Sequence, residues 1–141
     1  MSIRTWLISS FREIFLYHYR SLEFRAKIFA LIIAAGTNEK KEYSLERLKE
    51  VASEIYVDDK KRQEVLIRTT KEYICKILNN PRFGFDDFVK DVDLNVKIKK
   101  ELIDKINLDH IKRFVKDDIS EDKKILQLRV YEFFEGLAGK K

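Results

Sequence analysis

The sequence predicts an all-α protein, a single compact bundle of six or seven helices, and three observations carry that expectation. The 141 residues include four glycines and one proline, so turn formers are few and good helix formers many. Apolar residues recur at three- and four-residue intervals along most of the chain, the spacing of one helical face. Polar clusters carrying Ser, Asn or Asp interrupt these runs where a helix start needs a cap. A chain of this length is the usual size of one domain and buries a core without disulfides or metals.

The opening stretch "RTWLISSFREIFLYHYRSLEF" sets Ile3, Leu7, Phe11, Ile14, Phe15, His18 and Leu22 on one helical face, widened by Trp6, Ile8, Leu16 and Tyr19. Residues 1–20 therefore read as an amphipathic aromatic helix with more apolar surface than one neighbour covers. A second helix is expected after Ser21, whose hydroxyl caps it, running through "LEFRAKIFALIIAA" to Gly36, where glycine permits a left-handed closing turn. Apolar side chains nearly encircle its last two turns, which makes it the central helix.

A third helix starts at Ser44, with Tyr43 stapled against Leu48 and with Leu45, Leu48, Val51, Ala52 and Ile55 on one face. The fourth runs from about Asp59 to Leu78, with Asp58 and Asp59 at the positive end of its dipole and Pro81 forbidding continuation. Arg82 to Asn95 is the least regular stretch, one short helix held down by Phe83, Phe85 and Phe88. Then Ile98, Leu102, Ile103, Ile106, Ile111, Phe114 and Val115 are helix-spaced, with a bend at "NLDH". "DDIS" is a tight polar turn, and Ser120 caps a last helix carrying Ile125, Leu128, Tyr131 and Phe134 on one face and ending at Gly136 or Gly139.

Residues 22–56 and 98–137 share a plan: apolar helix, polar loop, Ser-capped helix. This arrangement resembles the TerB-like family of tellurite-resistance and stress-associated helical domains, in which two helix-loop-helix units pack about a pseudo-twofold. The resemblance covers residues 22–137 and rests on "AKIFALIIAAG" before the first loop and "IKRFVKDDIS" leading into the second. It implies a divalent-metal cluster of carboxylates, but here Lys116 and Lys123 occupy the family's aspartate and glutamate positions. Asp117 and Asp118 are out of register, and in the first unit Lys40 and Lys41 follow Asn38 and Glu39. A lysine in place of a carboxylate removes a hard-cation ligand and adds a repelling charge, so no metal site is expected.

Composition excludes several function classes. The net charge of +5 divides as +3 over residues 1–36 and +1 over each of 37–80 and 81–141, finely mixed beyond the first helices. Mixed signs blunt the field that a phosphate backbone selects, and "SEDKKILQLRVYEFF" offers a recognition helix only one Gln, Gln127. Acidic residues lie between nearly all of Lys97, Lys99, Lys100, Lys112, Arg113, Lys116, Lys123 and Lys124. Weak nucleic-acid binding is therefore only the third alternative, after a protein partner and a membrane surface.

The single cysteine, Cys75, excludes an internal disulfide and suits a reducing compartment. The longest charge-free apolar run, Ile28 to Gly36, is far below the ~20 residues that span a bilayer. No signal peptide is expected, since Arg12, Glu13 and Arg20 interrupt the first apolar stretch. The expected location is the cytoplasm, with a membrane surface as the alternative.

No catalytic, metal-ligating or cofactor-binding set is assigned. "KDDISED" lacks the spacing and central glycine of a calcium loop and reads as a helix cap. His18 and His110 have no partner at metal spacing, Cys75 reads as a buried thiol, and the serines and glycines form neither a nucleophile elbow nor a phosphate cradle. The protein is therefore expected to be a non-catalytic interaction module. Its candidate partner-binding residues are Trp6, Phe11, Phe15 and Tyr19, and three uses compete for their helix. They are, in order, core packing, a docking face for another protein or a second copy, and a membrane surface on which Arg4, Arg12 and Arg20 supply the cations.

Overall fold

The computed structural model describes residues 3–37 and 45–139, with side chains described for 19–37 and 45–139. Among the described residues there are six α-helices and one 3-10 helix, and no strand. The all-α bundle expected from periodicity is what the chain adopts.

α1 (Ile3–Ala35) is one unbroken helix of 33 residues. The expected break at Ser21 does not occur, and Ser21 caps nothing. No Gly or Pro stands between Ile3 and Ala35 to force a stop, and a lone serine inside a long helical run costs a few tenths of a kcal/mol. From Ala26 to Thr37 every residue is buried, with Ala30, Leu31 and Ile32 wholly removed from water, so this half is the central helix of the core. α3, α4, the 3-10 helix, α5 and α6 all pack on α1, and α2 packs on α3.

α2 (Leu45–Ile55) and α3 (Lys60–Asn79) follow their sequence signals. Leu48, Val51 and Ala52 are buried, with Leu45 and Ile55 partly so. The Tyr43 and Ser44 expectations lie outside the described residues. Asp59 caps α3 by accepting from the Arg62 N–H at 3.2 Å. Asp58 adopts φ 57°, the left-handed conformation Asp tolerates, and turns the chain tightly between the two helices.

Pro81 ends α3 and also starts α4 (Pro81–Ile98), an 18-residue helix where a short irregular one was expected. Proline at a first helical position forgoes an N–H that has no intrahelical partner anyway. Gly84 is required there, because a Cβ would come within 2.7 Å of the Ile77 Cα and force α3 and α4 apart. Phe85 and Phe88 pack against the core, whereas Phe83 faces outward.

The helix expected over residues 98–115 is broken twice, at Lys99 and at Asn107, into the 3-10 helix (Lys100–Lys105) and α5 (Leu108–Lys112). Asn107 caps α5 by accepting from the His110 N–H, which is the bend foreseen at "NLDH". Breaking the helix lets Leu102, Ile106, Ile111 and Phe114 all reach the core, while Ile98 and Val115 are left exposed. The first helix of the second unit is thus interrupted where that of the first, α1, is continuous.

α6 (Glu121–Leu137) starts at Ser120 as expected, the hydroxyl accepting from the Lys123 N–H at 3.4 Å. Its buried face is the expected one only in part, at Phe134 and at the half-buried Tyr131. Gln127, Val130 and Phe134 are inside, whereas Ile125 and Leu128 are 52% and 55% exposed.

Candidate functional site

α6 is held against α1 by one buried amide. Gln127 is 1% exposed. Its Nε2 donates to the Ile32 and Phe114 carbonyls at 2.9 and 3.0 Å, and its Oε1 accepts from the Lys116 N–H at 2.9 Å. Ile32 belongs to the last turn of α1, where carbonyls lack intrahelical partners. The side chain so satisfies three backbone groups from two segments that would otherwise be buried unpaired. Gly36 serves this junction and not the left-handed turn expected of it: its φ is not positive, and a Cβ would lie 2.2 Å from the Gln127 Nε2. A lone Gln inside the apolar run "ILQLRV" was the sequence signal for this role. As a buried group it offers nothing to a nucleic-acid groove.

With Gln127 fixing the rotation of α6, a second face runs beside the buried one, with Tyr131 and Ala138 partly buried against the core and Leu128 exposed. Lys124, Leu128, Tyr131, Glu135 and Ala138 are spaced four, three, four and three, which is one continuous stripe. Two clefts open along it and share Tyr131. Toward the helix N-terminus, a cleft of about 320 Å³ is lined by Lys112, Val115, Lys116, Asp117, Lys124, Leu128 and Tyr131. Toward its C-terminus, a groove of about 660 Å³ brings Asp104, Asp109 and Glu135 round an apolar floor that includes Ile103 and Ile106. The first is basic with an apolar centre; the second is acidic, with no cation in its lining. Lys124 is paired with Glu121 on its own helix at 3.6 Å. Burial, with the carboxylates of Glu135 and Asp109 nearby, pushes the Tyr131 phenol up from its ordinary range.

The other expected residues fall as follows. The side chains of Trp6, Phe11, Phe15 and His18 lie outside the described residues. Tyr19 is half-buried and packs against the core. Close by, the Tyr73 phenol is pushed well up by burial, with Glu23 and Tyr19 adding to it. Asp117 lines the basic cleft, and Glu121 and Asp122 sit in the first turn of α6 as the cap reading expects. No group of three or more potential metal ligands exists among the described residues. Cys75 is half-buried in a cleft between α2 and α3 beside Lys71 and Lys76.

His110 is buried and turns its Nε2 toward Glu54 Oε1 at 3.3 Å, while Arg113 donates to Glu54 Oε2 at 2.5 Å. The Arg113 guanidinium first, and then His110, hold the Glu54 carboxyl below the usual carboxylate range. Arg47 reaches across to the Arg113 carbonyl. This cluster ties α2 to α5 and the turn that follows it.

No protein-family model, no curated protein and no solved structure matches the chain. Among the described residues, no helix is long and apolar enough to cross a membrane.

Proposed function

We propose that the chain is a non-catalytic protein-interaction module of the cytoplasm, TerB-like in plan, whose aromatic N-terminal helix docks on a protein partner. The observation that supports this reading is the length of α1. A helix of 33 residues is about 50 Å long. A globule of 141 residues has a radius of gyration of about 14 Å and hence a diameter of about 37 Å. The C-terminal half of α1 fills the core, and Trp6, Phe11 and Phe15 belong to its other half.

Replacing Trp6, Phe11 and Phe15 together by alanine in the full chain tests this. A docking helix leaves the thermal midpoint within about 5 °C of the parent, a shift that corresponds to roughly 1 kcal/mol for a domain of this size. A core helix loses about 3–5 kcal/mol for each buried aromatic and unfolds far earlier at every protein concentration, which would end the docking reading. Salt-sensitive binding of the parent to anionic vesicles, lost in the triple variant, would transfer the helix to a membrane surface instead.

A further inference from the structure

We propose that the stripe of α6 beside its buried face is the seam of a homodimer, in which a second copy packs antiparallel about Tyr131 and each copy's basic cleft seats on the other's acidic groove. The inference is independent of the N-terminal helix and rests on the order of charges along one described face.

A twofold interface needs a surface that complements itself when turned end for end: if residue i meets residue j, then j meets i. The α6 stripe has that property. Lys124 lies about 10 Å before Tyr131 along the helix axis and Glu135 about 6 Å after it. Rotation about an axis through Tyr131 therefore carries the basic end of one copy onto the acidic end of the other, well within the reach of a lysine side chain. The residues beside the stripe repeat the pattern. Lys112 and Lys116 flank the cleft at the Lys124 end, and Asp104 and Asp109 flank the groove at the Glu135 end. With Asp117 counted, formal charges of +2 and −3 face each other twice across such an interface.

Between the charged ends lie Leu128 and Tyr131, with Val115 and Ile125 beside them. Val115, Ile125 and Leu128 are 40–55% exposed. The 4-3-4-3 spacing is that of a helix seam, in which knobs of one helix enter holes of the next. An acidic segment of an unrelated protein would fit the basic cleft alone. It would leave the adjoining acidic groove unexplained, whereas a second copy uses both.

Sedimentation of the full chain from about 1 to 500 µM, with Lys124→Glu, Glu135→Lys, the double variant and an equimolar mixture of the two single variants, decides the matter. The parent is expected to dimerise with rising concentration and to weaken as salt is raised. Each single reversal sets like charges opposite one another and is expected to weaken the dimer at least tenfold. The mixture and the double variant each restore opposite charges and are expected to regain it. Circular dichroism melts of the same proteins confirm that the folded monomer is intact. A parent that stays monomeric throughout overturns the proposal, as does a dimer indifferent to both reversals. A dimer lost in the Trp6, Phe11 and Phe15 triple-alanine protein but indifferent to the reversals would overturn this seam while leaving the docking role of α1 standing.

Discussion

The C-terminal half of α1 and the whole of α6 are both apolar-rich helices, yet they are buried in opposite ways. Every residue of α1 from Ala26 to Ala35 is inside, and all but Lys27, which pairs with Glu23 and donates to Asn95, are apolar, so the rotation of its last two turns hardly matters. α6 buries three residues of seventeen, and one of them is a glutamine. Its rotation is set by an amide that reaches two carbonyls and an N–H, while isoleucine and leucine on the other side stay wet. Hydrophobicity decides that a helix packs; backbone groups with no other partner decide which face.

The widest separation between the two faces of α6 should appear on truncation. Phe134→Ala is expected to cost about 4 kcal/mol in chemical denaturation, as for a fully buried aromatic. Ile125→Ala, half a helical turn round, should stay within about 0.5 kcal/mol of the parent. Equal losses would mean that α6 is buried on both sides.

The glycines sharpen the same contrast. Gly36→Ala drives a methyl into the Gln127 amide and is expected to cost about 2–3 kcal/mol through the broken hydrogen bonds. Gly136→Ala, near the end of α6, has nothing within 4 Å of its new Cβ. It should raise stability by about 0.5–1 kcal/mol through helix propensity. Both are read as shifts in denaturant midpoint at constant slope.

The smallest effect is a pH dependence at the contact between α2 and α5. Because the folded-state pKa of Glu54 is depressed, its contribution is present above the ordinary carboxylate range, near 4.3, and is lost as pH falls through the depressed value. The thermal midpoint of the parent should therefore drop more steeply below about pH 4.3 than that of Glu54→Gln. Parallel curves would mean that Arg113 and His110 do not hold the carboxylate in solution.

Elements whose starts carry a side-chain cap were legible in the sequence. Asp59 before α3 and Ser120 before α6 declare themselves because the oxygen that accepts a free N–H must stand at that position. The misreadings have physical causes. Ser21 looks like a cap only if a helix start is already assumed there. Pro81 ends one helix and begins the next, and the first role hides the second. The face assigned to α6, Ile125 with Leu128, Tyr131 and Phe134, advances three residues at each step. Nine residues at 100° each bring Phe134 to the opposite side from Ile125. The stripe from Lys124 to Ala138 could have been found by its 4-3-4-3 spacing. That it flanks the buried face and lines two clefts could not, because this depends on the Phe114 carbonyl in the preceding turn and on the Ile32 carbonyl far away in the chain.

The central claim is that Gln127, and not its apolar neighbours, sets the face of α6, and adjacent residues test it most directly. Equilibrium unfolding of Gln127→Leu beside Leu128→Gln exchanges the chemistry of two consecutive positions. The account predicts that the apolar replacement at 127 costs about 4 kcal/mol, through three backbone groups left unpaired, while the polar replacement at 128 changes stability by less than about 0.5 kcal/mol. A stable Gln127→Leu protein beside a collapsed Leu128→Gln protein would contradict it and would place Leu128 in the core.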